Sequence, residues 1–205
     1  LMALGETQVL VTASIEERVP RHVYGTGEGW LTAEYSMLPG ATHTRNQRER
    51  LKVSGRTQEI QRLIGRSLRA CLDFKKLGER SITIDADVIQ ADGGTRTASI
   101  TAGFLALQDA IQHLMDAGSL KENPILFPIA AVSLGVVNGE ICLDLNYDED
   151  SNADVDSNLV MNDQGGIIEF QLTSEKAPLD KSIGSELLVL GEVGIQALLK
   201  AQQSI

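Results

Sequence analysis

The stretch Gly93-Gly94-Thr95-Arg96 places two glycines, a hydroxyl and a guanidinium in one short turn. Before it, Ile82, Ile84, Ala86 and Val88 alternate with Thr83, Asp85 and Asp87, the period-two pattern of a half-buried strand over Ser81 to Ile89. After it, Ile100, Phe104, Leu107, Ile111 and Leu114 recur at helical spacing. A helix that starts here leaves the amides of Thr95 and Arg96 without intrahelical acceptors, at the positive end of the dipole. That is a ready site for an anion, and the Arg96 fork matches phosphate. An ordinary tight turn with a surface arginine fits the same residues. Neither the Gly-Lys-Ser/Thr of a Walker loop nor Gly-x-Gly-x-x-Gly is present, so local chemistry leaves the two readings level.

A second group of chemical residues is acidic. Seven aspartates and glutamates fall between Asp144 and Asp163. Asp144 to Asn158 has the charge of a calcium loop but lacks the glycine and terminal glutamate of the EF-hand spacing. It reads as a solvated acidic loop or a cation site. A third group is basic. Arg56 stands at the entry of an amphipathic helix expected over Gln58 to Leu72, where the dipole again favours an anion. Arg62, Arg66 and Arg69 share one side of that helix, a solvated face or a surface for an anionic partner. Ahead of it, Thr42-His43-Thr44-Arg45-Asn46-Gln47-Arg48 reads as a polar, basic loop or arm ending in Arg50 and Lys52. His43 has no nucleophile at a recognisable spacing.

The net charge of -10 argues against a nucleic-acid partner only as an average. Eleven of the eighteen Lys and Arg residues lie between Arg45 and Arg80, with only four acids, whereas Glu122 to Glu175 holds eleven acids and no Lys or Arg. A basic segment that can meet phosphates is thus separated from an acidic one that can hold a cation.

The elements that must carry these groups follow the hydrophobic pattern. Strands are expected at Gln8 to Ala13, Trp30 to Tyr35, Ser81 to Ile89 and Ile129 to Val137. Asn138-Gly139 marks a hairpin returning through Ile141 to Leu145, and Gly165-Gly166 a second one between Leu159–Met161 and Ile167–Leu172. Besides the Gln58 helix, whose buried face is Ile60, Leu63, Ile64, Leu68 and Cys71, a helix from the glycine turn ends near Gly118. Leu187 to Leu199 closes the chain as an apolar-faced helix with Ser185 as cap. The 205 residues are expected to form one mixed α/β domain. No apolar run approaches the roughly 20 residues that span a bilayer, and no signal peptide is visible, so a cytoplasmic protein without membrane partners is expected. Cys71 and Cys142 lack metal-ligand spacing and read as reduced core thiols.

Taken together, five ordered motifs resemble the ribonuclease PH family of phosphate-dependent 3′ exoribonucleases and tRNA nucleotidyltransferases. They are Gly29-Trp30-Leu31-Thr32-Ala33-Glu34-Tyr35, Thr42-His43-Thr44-Arg45-Asn46, Gly55 through Ile64, Gln90 through Ile100, and Leu143-Asp144-Leu145 with Glu149-Asp150-Ser151 and Asp154-Val155-Asp156. The resemblance covers nearly the whole chain. It implies mixed sheets with packed helices in the ribonuclease PH-type fold, inorganic phosphate as co-substrate, a divalent ion such as Mg²⁺, and a homo-hexamer built as a trimer of dimers. It implies that Arg56, Gly94, Thr95 and Arg96 hold phosphate, and that Asp150 and Asp156 are the metal-binding and catalytic carboxylates. Arg45 and Arg48 would belong to an arm that meets RNA and a neighbouring subunit, and Arg62 joins them as an RNA contact.

The implied activity is reversible: trimming the 3′ ends of tRNA precursors and other structured RNA, with nucleoside diphosphates released. The alternative is a silent RNA-binding subunit of an exosome-like ring, which keeps the fold and loses phosphate or metal residues. The sequence departs from the family in four places. The usual N-terminal lead is absent and the loop from Arg48 to Gly55 is short. Gly40 stands where many relatives carry a basic residue, which weakens the arm's grip on RNA, and Leu172 stands where glycine is usual.

Overall fold

The computed structural model describes residues 1–49 and 52–204. Arg50, expected at the end of the basic arm, lies outside the described residues, as do Leu51 and Ile205. Two four-stranded sheets carry the fold. The first comprises β1 (Met2–Leu4), β2 (Thr7–Glu16), β3 (Trp30–Met37) and β4 (Ser81–Gln90), in the order β1-β2-β4-β3. β2 and β4 are antiparallel, with Val9 opposite Val88 and Ile15 opposite Ile82, whereas β3 runs parallel to β4. A parallel neighbour requires a crossover. Here it contains α1 (Gly55–Ala70) and the short α2 (Phe74–Leu77).

The second sheet is antiparallel throughout: β5 (Ile129–Val137), β6 (Glu140–Leu143), β7 (Val155–Asn162) and β8 (Ile167–Ser174), in the order β6-β5-β7-β8. Asn138 and Gly139 both take positive φ, 52° and 81°, the conformation the first hairpin turn demands. α3 (Thr95–Asp116) packs on β2 and β4 from one side and on β5 from the other, and α1 touches both β3 and β8. These two helices form the layer between the sheets. α5 (Lys181–Gln202) covers the far face of the second sheet against β5, β6 and β7.

Burial explains the arrangement. The first half of α3 is buried on nearly every side, as expected of a helix between two sheets, whereas Gln108, Asp109, Gln112, His113 and Asp116 of its later turns are exposed. Thr101 fits there because its hydroxyl accepts from the Ala131 amide at 3.0 Å and donates to the Ala131 carbonyl at 3.3 Å. The central core joins Ile60, Leu63, Ile64 and Leu68 of α1 to Leu31, Ile82, Ile84, Phe104 and Ile129. Truncating Leu63 or Phe104 to alanine should cost about 2–5 kcal/mol. The second core, Val132, Leu134, Leu159, Leu187, Ile195 and Leu199, lies beneath α5.

Several boundaries differ from the sequence expectation. α1 begins three residues early because the Ser54 hydroxyl accepts the Thr57 amide at 3.2 Å. α5 begins at Lys181, capped by Asp180, whose carboxylate accepts the Ser182 amide at 2.8 Å; Ser185 sits inside the helix. At 22 residues, with a mean hydropathy of 1.4 over its most apolar window, α5 is long and apolar enough to cross a membrane by composition, contrary to the expectation that no segment would be. Its apolar face instead packs the second sheet through Leu187, Ile195 and Leu199. Cys71 is buried and its thiol is pushed up to about 12, chiefly by desolvation; Cys142 is half-buried on β6 rather than in the core. Both thiols are free.

Candidate active site

The glycine turn forms as its residue types require. Gly93 and Gly94 take φ of 81° and 53°, and α3 starts at Thr95. Any side chain on Gly93 would collide with the Leu145 carbonyl oxygen, so this glycine permits a close backbone approach. Gly94 is the N-cap of α3 and supplies no side-chain acceptor, so the first amides of the helix remain available to an external anion. The Tyr35 and Thr95 hydroxyls meet at 2.8 Å beneath the turn. Ser133 Oγ on β5 is buried without a hydrogen-bond partner, close to the space beside Gly94.

A cleft of about 680 Å³ opens over this turn. Ser54, Arg56 and Thr57 bring the start of α1 to the same cleft, so two helix N-termini and the three arginines Arg48, Arg56 and Arg96 border one space. Arg96 is held 3.7 Å from Glu59, with 22% of its side chain exposed. Such a pair contributes under about 1 kcal/mol, but it aims the guanidinium.

The acidic stretch is not a loop. It folds into the short helix α4 (Tyr147–Asn152) and, after two further residues, into β7. Asn146 caps α4 by accepting the Glu149 amide at 2.9 Å, and the Glu149 carboxylate accepts the Asn146 amide at 3.0 Å. Asp150 is exposed on α4, and Asp156 is half-buried on β7; both line the cleft, as does Asn158, on the same strand face as Asp156. Burial pushes the Asp156 carboxyl above the ordinary aspartate range. The charges of Asp150 and Glu175 push it further up, while Arg96 and Arg56 pull it down. The opposed groups therefore feel one another across the cleft.

The two halves are fastened together by hydrogen bonds between side chains and backbone. Thr7 donates to the Gly93 carbonyl at 2.7 Å and accepts the Asp92 amide at 2.8 Å. Asp92 in turn accepts the Tyr147 amide at 3.2 Å. The turn that carries Arg96 and the helix that carries Asp150 are thus mutually positioned.

Of the residues singled out in the sequence, Arg48, Arg56, Gly94, Thr95, Arg96, Asp150 and Asp156 line the cleft. Arg45 and Arg62 are exposed but do not line it. The arginine stripe of α1 is not a single anion-facing surface. Arg66 pairs with Glu169 at 3.1 Å, and Arg69 donates to the Leu31 carbonyl and stacks over Trp30, its guanidinium 5.1 Å from the ring centroid. Sequence reasoning missed Tyr35, Glu59, Ser133 and Tyr147. Ser133 alone left a signal, as the one polar residue between Ile129 and Val137.

Comparison with known proteins agrees with this architecture. Residues 1–111 match the first domain of the 3′ exoribonuclease family and residues 128–183 match the second. The chain is 57% identical over 202 residues to Ribonuclease PH of Crocosphaera subtropica, covering 98% of this chain and 84% of that one. It is 58% identical over 203 residues to Ribonuclease PH of Nostoc sp., covering 99% and 82%. Two solved structures share the fold at low identity. Rice Rrp46 superposes with a TM-score of 0.75 at 16% identity, covering 98% of this chain and 84% of that one. The Archaeoglobus fulgidus exosome with RNA bound to the active site gives 0.78 at 19%, covering 97% and 80%. The chain belongs to the 3′ exoribonuclease family, in its ribonuclease PH branch.

Proposed function

We propose that this chain shortens RNA from its 3′ end by phosphorolysis, acting on tRNA precursors and other structured 3′ ends. The observation that carries the reading is the meeting of Arg56, the Gly94-Thr95-Arg96 turn, Asp150 and Asp156 around one cleft. Inorganic phosphate sits at the start of α3, where the Thr95 and Arg96 amides and both guanidinium groups receive its oxygens. A phosphate oxygen attacks the phosphorus of the terminal phosphodiester. The bond from that phosphorus to the 3′ oxygen of the preceding ribose breaks, and the oxygen takes up a proton. A nucleoside diphosphate leaves and the RNA ends one nucleotide shorter. Positioning and charge neutralisation supply most of the acceleration, as in other phosphoryl transfers.

The acidic side of the cleft fits a divalent ion. Its two carboxylates are hard oxygen donors, and burial with the Asp150 charge makes an uncompensated Asp156 carboxylate unfavourable. No cluster of three or more His, Cys, Asp or Glu donors occurs among the described residues. Two carboxylates suit Mg²⁺, which completes its shell with water and substrate phosphate. Asp150 and Asp156 would hold it, and when bound it would neutralise charge building on the reacting phosphate oxygens. Asp156 also stands ready to assist proton transfer.

Arg48 lies in the cleft to meet the RNA backbone, and Arg45 and Arg62 would contact RNA farther from the reacting end. We place the chain in the cytoplasm as a homo-hexamer, a trimer of dimers. The silent ring-subunit reading is disfavoured because the phosphate-binding and acidic residues are present together, in a chain 57% identical to proteins named Ribonuclease PH. RNA shortening with and without phosphate tests the proposal. Phosphate-dependent release of diphosphates is expected; monophosphates released in phosphate-free buffer would replace phosphorolysis with hydrolysis.

A further inference from the structure

Tyr147 is an aromatic side chain in an unusual place. It is 51% exposed, yet it lines the active-site cleft on the first turn of α4, three residues before Asp150. Residues three apart on a helix are neighbours, so its ring flanks the Asp150 carboxylate, one of the two proposed to hold the divalent ion. Its backbone is fixed twice: its amide donates to Asp92, and the preceding residue caps the helix. The ring approaches that of His43, from the basic arm, with centroids 6.1 Å apart and planes at 66°. An edge-to-face pair of this kind occupies at most one face of one ring. Aromatic surface is scarce in this chain, 4% of residues, and little of it is left exposed. The Tyr147 backbone is thus fixed at the mouth of a polar cleft, while half of the residue stays open to solvent and, among the described aromatic residues, only His43 packs on its ring.

We propose that Tyr147, backed by His43, is a stacking subsite for the nucleobase at the 3′ end of the RNA. This rests on the proposed RNA phosphorolysis and adds the part of the substrate that the phosphate and acidic groups do not recognise. Every base offers a π-face, so stacking holds the terminal nucleotide without regard to sequence. That tolerance suits an enzyme that must remove each nucleotide in turn. Recognition by hydrogen bonds to a base edge would stall it at three of the four bases.

The test uses the full chain and two short oligoribonucleotides, one ending in 2-aminopurine and one ending in an abasic nucleotide. Binding is measured by anisotropy without phosphate, alongside 2-aminopurine quenching. The wild type should quench the terminal base. Tyr147→Phe should bind within twofold of it, while Tyr147→Leu, which keeps apolar bulk but loses the π-face, should bind roughly tenfold more weakly and quench less. Both proteins should bind the abasic oligomer equally. The subsite is overturned if Tyr147→Leu binds the 2-aminopurine oligomer as the wild type does, or if it loses as much on the abasic one. It also falls if the wild type binds neither oligomer. If the wild type binds and quenches but releases no diphosphate when phosphate is added, the phosphorolysis reading falls and the stacking subsite stands.

Discussion

The two walls of the cleft are built in opposite ways. The cationic wall is made largely of backbone. Its amides belong to the 22-residue α3, whose first half is buried between two sheets, and the turn before it leaves no room for a side chain at Gly93. The acidic wall is made of side chains. Asp150 stands on the six-residue α4, which has no buried residue, and Asp156 is the half-buried second residue of β7. A preorganised donor set needs rigidity, and the core supplies it. A carboxylate pair proposed to exchange an ion or a proton needs access to solvent, and an exposed helix supplies that. The contact between the walls runs through Thr7, Asp92 and Gly93 rather than through any reacting group.

The comparison breaks most visibly on the acidic wall. Asp150→Asn and Asp156→Asn should each lower phosphorolysis by on the order of 10²–10³-fold with the fold and assembly intact, because the amide keeps shape but removes the charge. Residual activity in either variant should lose its response to added Mg²⁺. Steady-state rates with magnesium titrated after chelation decide this; full activity at saturating RNA and phosphate would put the ion elsewhere.

On the cationic wall the loss should appear in phosphate affinity. Arg56→Ala and Arg96→Ala each remove a charge-assisted contact worth about 1.5–3 kcal/mol. The KM for phosphate should rise roughly 10- to 100-fold while RNA binding is nearly kept. Unchanged rates at limiting phosphate in both variants would remove these arginines from the site.

The link between the walls should give a smaller effect. Asp92→Ala frees the Tyr147 amide and should reduce kcat by roughly tenfold with little change in the KM for phosphate. Asp92→Asn, which keeps an oxygen acceptor, should recover most of it. Equal loss in both variants would show that the charge, not the hydrogen bond, matters.

How much of this was legible depended on whether a signal was local. The Ser81 strand, the glycine turn and the helix after it follow from period and glycine placement, and the buried face of α1 was read residue by residue. The acidic run was misread as a loop because charge density hid a capping box between Asn146 and Glu149. The stripe of Arg62, Arg66 and Arg69 looked uniform, but Glu169 and Trp30, distant in sequence, claim two of its members. Arg56, Arg96, Asp150 and Asp156 were named together through a family resemblance, not from spacing. Tyr147 and Ser133 gain meaning only when the second sheet brings them to the glycine turn at the start of α3.

The smallest effect concerns stability. Burial and Asp150 hold the Asp156 carboxyl above its ordinary value, so the folded state disfavours the ionised form. That penalty is present at neutral pH and disappears as pH falls through the raised pKa towards the ordinary aspartate range. Asp156→Asn should therefore melt at or slightly above the wild-type temperature at pH 7 in chelator, and the gap should close on acidification. Thermal melts across that range check the sign; a variant less stable at pH 7 would show that the carboxylate is compensated within the chain.

The most direct measurement follows the nucleophile itself. RNA is incubated with the protein, Mg²⁺ and ³²P-labelled inorganic phosphate, and the released nucleotides are separated. If phosphate bound at the Gly94-Thr95-Arg96 turn attacks the terminal phosphodiester, the label appears in the β-phosphoryl group of nucleoside diphosphates, one per nucleotide removed. Unlabelled monophosphates appearing as the RNA shortens would contradict the account.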